Sequence, residues 1–145
     1  MEIYSIGFTK KTAAEFFGKL RAAGIRRLMD VRLHNSSQLA GFTKAEDLRF
    51  FLRELCGAEY VHEPLLAPTE ELLAGIKKRT LPWEQYERRF LDILAERRVE
   101  ERLDRGAFLV PTVLLCSEPT AEHCHRRLVI EYLREKWGDV VPVHL

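Results

Sequence analysis

Two thiols, two carboxyl groups, two imidazoles and two guanidinium groups fall within one short stretch, Cys116-Ser117-Glu118-Pro119 to Cys124-His125-Arg126-Arg127. An apolar run, Val113-Leu114-Leu115, ends at Cys116. The pattern predicts a buried strand feeding a helix from about Pro119 to Trp137, with proline tolerated in its first turn. A thiol near a helix N-terminus and near arginine tends toward the thiolate. Free backbone N–H groups and paired arginines at such a place bind phosphate or carboxylate. The chemistry this offers is nucleophilic or acid–base work by Cys116, Glu118 and His125 on a molecule whose anionic group Ser117 and Arg126 hold.

A second set of polar residues follows other short apolar runs. Asp30 and Arg32 alternate along one predicted strand and so share a face. Arg32 is read as an anion binder, and Asp30 as its orienting partner or as a base. Gly7 and Thr9 follow the first strand, and His62 ends the third. Ligands of open α/β sheets bind outside the carboxyl ends of the strands. If the strands are parallel, all these groups gather on one rim.

The elements that must place them alternate in type. Strands are predicted at Ile3–Gly7, Arg27–Arg32, Ala58–His62, Val110–Cys116 and Val140–His144. Between them lie a helix capped by Thr12 with Glu15 as its box partner, one capped by Thr43 and stopped at Gly57, a short one over Thr69–Ile76, and a long one over Pro82–Asp104. The expectation is a single α/β domain spanning 1–145. It has a mostly parallel sheet of about five strands with helices on both faces.

Composition narrows the partners. With 23 basic and 22 acidic residues the net charge is +1, so no global field draws the chain to nucleic acid or membrane. No apolar run reaches the length of a membrane span, and the first residues predict no export signal. Three cysteines make no disulfide framework, so reduced thiols and a cytoplasmic setting are expected. The spacing of Cys116, Cys124 and His125 matches no zinc pattern, so no metal and no cofactor are expected. Oligomeric state is left open.

The chain resembles the bacterial and archaeal family called domain of unknown function 488. The resemblance rests on Ile3-Tyr4-Ser5-Ile6-Gly7, Asp30-Val31-Arg32, Tyr60-Val61-His62, Leu115-Cys116-Ser117-Glu118-Pro119 and Cys124-His125-Arg126-Arg127. Phe8 stands where the commoner family pattern has histidine. The resemblance implies one α/β domain with a shared polar cluster, and no substrate. Three functional readings follow from the residues. The first is an enzyme that binds a small phosphate-bearing or nucleotide-like anion. The second is a binding module for nucleic acid or protein, suggested by arginines at 26–27, 88–89, 97–98 and 126–127. The third is a thiol redox or metal sensor built on Cys116 and Cys124.

Overall fold

The computed structural model describes residues 1–35, 41–117 and 123–145. Five parallel strands form one sheet in the order β3-β2-β4-β1-β5. They are β1 (Glu2–Gly7), β2 (Arg27–Asp30), β3 (Glu59–His62), β4 (Thr112–Cys116) and β5 (Val141–His144). The helices are α1 (Ala13–Ala22), α2 (Ala45–Phe51), α3 (Glu70–Lys77), α4 (Trp83–Glu96), α5 (Val99–Arg102) and α6 (His125–Trp137). The expected α/β architecture is therefore present, with helices on both faces of a parallel sheet. No helix among the described residues is long and apolar enough to cross a membrane.

Strand pleating divides the core into two layers. Ile3, Met29, Leu114 and Cys116 face one way, into a cluster completed by Phe90, Leu94, Leu128 and Leu133 from α4 and α6. Ile6, Leu28, Val113 and Leu115 face the other way, toward Phe16, Phe17 and Leu20 of α1 and Leu48 of α2. Every residue of β4 is buried, as a central parallel strand requires.

Local signals explain most boundaries. Thr12 caps α1: its Oγ accepts from the Glu15 N–H at 3.1 Å, and the Glu15 carboxylate reaches back to the Thr12 N–H at 3.4 Å. Thr69 caps α3 by accepting from the Leu72 N–H at 3.2 Å. Beyond α2, the turn Leu52–Cys56 is a π-helix closed by Gly57 at φ 61°.

The second strand ends at Asp30, two residues short of the predicted Arg32, and three expected helices differ. Thr43 does not cap α2; Lys44 takes that position without a side-chain bond, and Thr43 is buried with its carbonyl turned to Arg32. The long helix predicted from Pro82 breaks at Arg98, which sits at φ 54°. At about 100° per residue, an unbroken helix would carry Val99 about 180° away from Phe90. The break instead returns Val99 to the core, fully buried. Finally, α6 starts at His125 rather than near residue 119, because Cys124 is still extended.

The topology locates the crevice. The connections from β1 to β2 and from β2 to β3 carry α1 and α2 over one face. Those from β3 to β4 and from β4 to β5 run the opposite way, with α3 to α6 over the other. Reversing both direction and face preserves the hand of the crossovers. β4 thus lies between two strands whose chains leave toward the opposite face. Its carboxyl end, at Cys116 and Ser117, is where a ligand crevice opens.

Two glycines give a stability test of opposite sign. Gly18 is exposed inside α1 with open space where a Cβ would go, whereas Gly57 needs its left-handed backbone. Gly18→Ala should stabilise the protein by about 0.5–1 kcal/mol. Gly57→Ala should destabilise it by about 1–2 kcal/mol. Urea unfolding of the two variants checks both signs.

Candidate functional site

The rim is organised around a buried ion pair. Asp30, the last residue of β2, is fully buried, and Arg32 is 6% exposed. The Arg32 Nε–H donates to Asp30 Oδ1 at 2.9 Å and Nη2–H donates to Oδ2 at 2.8 Å, a bidentate fork. The Arg32 backbone N–H adds a third bond to Oδ1 at 3.1 Å, and the Tyr60 hydroxyl adds a fourth to Oδ2 at 2.7 Å. Nη2 also donates to the Thr43 carbonyl at 2.7 Å. The guanidinium lies 5.3 Å from the Phe8 ring centroid. Among the described residues, buried Nη1 has no hydrogen-bond partner.

Burial and the bond to Asp30 push the Tyr60 hydroxyl up to about 12. It therefore stays protonated and donates. Asn35 in turn donates its amide to the Tyr60 oxygen at 3.1 Å.

Two histidines clamp the chain that carries Arg32. The His62 ring, through Nε2, bonds the Arg32 carbonyl at 2.8 Å, and the His125 ring, through Nε2, bonds the Val31 carbonyl at 2.8 Å. A carbonyl only accepts, so each ring holds its proton on Nε2. Desolvation, followed by the nearby Arg126 charge, outweighs the favourable carbonyl and takes His125 down to about 4. His125 is thus neutral near pH 7, with a lone pair on Nδ1. It also meets the Phe90 ring edge to face, centroids 5.6 Å apart.

Behind the rim, Arg126 of α6 is fully buried. Its Nε–H donates to Ser5 Oγ at 3.2 Å and its Nη1–H to Cys116 Sγ at 3.0 Å. Ser5 shares a further bond with His144 of β5. One guanidinium therefore links β1, β4, β5 and α6. Reduced thiols were the expectation from three scattered cysteines; the structure instead joins Cys116 and Cys124 as a disulfide, bringing the end of β4 to the N-cap of α6. Cys56 is free and half-buried, and burial pushes its thiol pKa up.

A cleft of about 200 Å³ opens over this floor. Cys116, Ser117, Cys124, His125 and Arg32 line it together. Gly7, Thr9, Asp30, His62 and Arg126 do not line it. Gly7 pairs with Cys116 in the sheet register, and the Thr9 N–H fixes the Ser117 carbonyl at 3.0 Å. Glu118 lies outside the described residues.

The opposite wall is apolar: Leu73 and Ile76 from α3, Trp83 and Tyr86 from α4. Trp83 stacks on Tyr86 and on His123, with centroids 5.1 and 4.9 Å apart. The spacing of Trp83 and Tyr86 on one helix suggests either packing or a groove lining, and nothing in the sequence marks Leu73 or Ile76 as part of a site. Tyr60 was legible as a strand residue and as part of the Tyr60-Val61-His62 landmark; its contact with Asp30 depends on the pairing of β2 with β3.

Three of the four arginines at 88–89 and 97–98 have partners among the described residues. Arg89 meets Glu96 and Arg98 meets Glu101. Arg97 turns inward to the carbonyls of Leu65 and Ala67 at 2.8 and 2.6 Å.

Two measurements test the buried pair. Asp30→Asn leaves the Arg32 charge without its counter-ion and should cost about 3–5 kcal/mol in urea unfolding. Adding Arg32→Met should cost less than the two single losses combined, since both remove one interaction. Difference absorbance should show one tyrosine ionising near 12 in the wild type and missing in Tyr60→Phe. Its hydroxyl ionises near 10 when unfolded. The stability it contributes is therefore complete below pH 10 and declines as pH rises through 12.

No curated protein and no solved structure matches the chain. Residues 12–133 match the family described as domain of unknown function DUF488, a span that holds Asp30, Arg32, both cysteines of the disulfide and Arg126. The chain belongs to the DUF488 family.

Proposed function

We propose that the cleft at the carboxyl end of β4 binds a small organic anion, with Arg32 as its anchor. The observation that carries this reading is the unspent Nη1 donor of a guanidinium that is otherwise fully fixed. A buried donor without an acceptor costs about 1–3 kcal/mol, and a ligand oxygen would relieve that cost. The N-terminus of α6 adds a favourable dipole, since its cap Cys124 and first residue His125 both line the cleft.

Size selects among anions. Sites for drug-sized ligands are roughly 300–1,000 Å³, and this cleft holds about 200 Å³. That favours a phosphate or carboxylate attached to one small apolar body over a whole nucleotide. The Leu73, Ile76 and Trp83 wall supplies the apolar contact.

An enzymatic role would fall to Cys116 and His125, which share the cleft floor. Cys116 becomes a nucleophile only as a dithiol, because a disulfide sulfur carries no thiolate. In that form the Arg126 Nη1–H, 3.0 Å away, would favour the thiolate. His125, neutral with its Nε2 proton committed to Val31, would accept a proton at Nδ1.

The nucleic-acid reading is weaker, since several of the arginines that suggest it, Arg89, Arg97, Arg98 and Arg127, meet acidic neighbours or backbone carbonyls.

Calorimetric titration with inorganic phosphate, phenyl phosphate and adenosine monophosphate tests the proposal. Phenyl phosphate should bind most tightly. Arg32→Lys should weaken it by at least about tenfold, since the lysine keeps the charge and loses the planar fork. Arg89→Gln, remote from the cleft, should bind as the wild type does. Failure of all three probes at millimolar concentration, or equal binding by Arg32→Lys, would sink the reading.

A further inference from the structure

The cleft floor holds a second chemistry that the anion reading does not use. One donor atom from each of Cys116, Cys124 and His125 lies within 4.8 Å of the other two. We infer that the dithiol form of this protein binds one zinc-class divalent cation through Cys116 Sγ, Cys124 Sγ and His125, with the fourth position open to the cleft.

The donor set suits the ion. Zinc takes thiolate sulfur at about 2.3 Å and imidazole nitrogen at about 2.0–2.1 Å. Two sulfurs on a tetrahedral ion therefore stand about 3.8 Å apart. The Cα atoms of Cys116 and Cys124 are 7.5 Å apart. That span lets rotation about each Cα–Cβ bond set the sulfurs around an ion without moving the backbone. Disulfide and chelate are alternative states of the same two sulfurs, so the site exists only after reduction.

The surroundings suit it too. A metal-bound histidine usually gives its other ring nitrogen to a carbonyl or carboxylate. His125 already gives Nε2–H to the Val31 carbonyl at 2.8 Å, which leaves Nδ1 as the ligand. A ligating thiolate is steadied by a hydrogen-bond donor, and Arg126 Nη1 lies 3.0 Å from Cys116 Sγ. All three ligands line the cleft, so the fourth direction, which no described residue fills in this ligand set, faces it. Three protein ligands with one open position are the arrangement of a catalytic rather than a structural zinc site.

The spacing rule missed this set for a physical reason. Structural zinc motifs place two ligands close in sequence on one turn. Here β4 delivers the first cysteine. The second ligand pair, Cys124 and His125, is adjacent in sequence at the point where extended chain becomes helix.

Cobalt(II) tests the site without reference to any substrate. Untagged protein is reduced, freed of reductant under argon and titrated with cobalt(II). The wild type should take one ion per chain and show thiolate-to-cobalt absorption with the visible bands of a tetrahedral centre, and zinc should abolish both. Cys116→Ser and Cys124→Ser should each lose most of the thiolate band. Cys56→Ser should keep it. His125→Gln should lower affinity by at least about tenfold. Absence of the band in the reduced wild type overturns the inference whether or not the variants fold. So does a band that survives Cys116→Ser or vanishes in Cys56→Ser. Because the probe is the metal alone, its outcome is separable from that of the anion titrations.

Discussion

The arrangement of the rim depends on one buried ion pair. Taking a carboxylate and a guanidinium out of water costs several kcal/mol per ion, and attraction between them repays that only when the remaining hydrogen-bonding capacity is met. Asp30 meets it completely: two guanidinium bonds, a backbone N–H and the Tyr60 hydroxyl occupy its oxygens. Arg32 meets it incompletely, with Nη1 unused among the described residues. An aliphatic pair of the same volume would have been an ordinary way to fill this corner of the core. A pair satisfied on the acid side and open on the basic side makes better sense as a device for presenting a fixed donor. The two histidine clamps on the carbonyls of residues 31 and 32 support the same reading, because they immobilise the backbone from which that donor projects.

The topology turns this device into a site. Because β4 lies between strands whose connections leave over the opposite face, a crevice opens at its end, with Phe8 after β1 and Arg32, Leu33 and His34 after β2 along its sides. Arg32 reaches the crevice from the β2 side, and the disulfide pins α6 to the other. Arg126 then adds a second buried guanidinium beneath the floor, touching Cys116. In a low-dielectric setting a cation at hydrogen-bond distance favours the sulfur as thiolate far more than it would in water. Thiol chemistry and anion binding thus draw on neighbouring guanidinium groups, held by different strands, and can be separated by mutation.

Much of this was legible in the sequence where the signal is local. Thr12 with Glu15, Gly57 after a helix, and the two-sided apolar run of β4 each encode their element through near neighbours. Alternation linked Asp30 with Arg32, although β2 ends at Asp30 and it is the hydrogen bonds between the two that join them, and the strand-end rule placed Cys116, Ser117 and His62 at carboxyl ends of parallel strands. What failed was non-local. Thr43 looks like a cap, but packing buries it and gives its carbonyl to Arg32. The helix predicted over Pro82–Asp104 keeps its apolar period only to Leu94, and core demand for Val99 breaks it. Counting cysteines could not pair Cys116 with Cys124, since their proximity is set by where α6 docks. Tyr60 on Asp30 and the Leu73–Ile76 wall likewise exist only once strands and helices are assembled.

Arginine shows why charge patterns in a sequence mislead about function. The pairs at 88–89 and 97–98 look like a basic surface, yet exposed ion pairs such as those of Arg89 and Arg98 are worth at most about 1 kcal/mol each. Arginines with structural consequence, such as Arg32, Arg97 and Arg126, sit among the same residue types in the sequence and differ in being turned inward. Burial also fixes the charge of the cleft. His125 is neutral well below physiological pH, and a guanidinium does not lose its proton in proteins. With those two groups held constant, the state of Cys116 and Cys124 remains a chemical variable among the described residues of the floor. Whatever enters the cleft meets a constant cationic anchor and either a disulfide or a pair of thiols, so the redox state of that pair is what distinguishes one form of the site from the other.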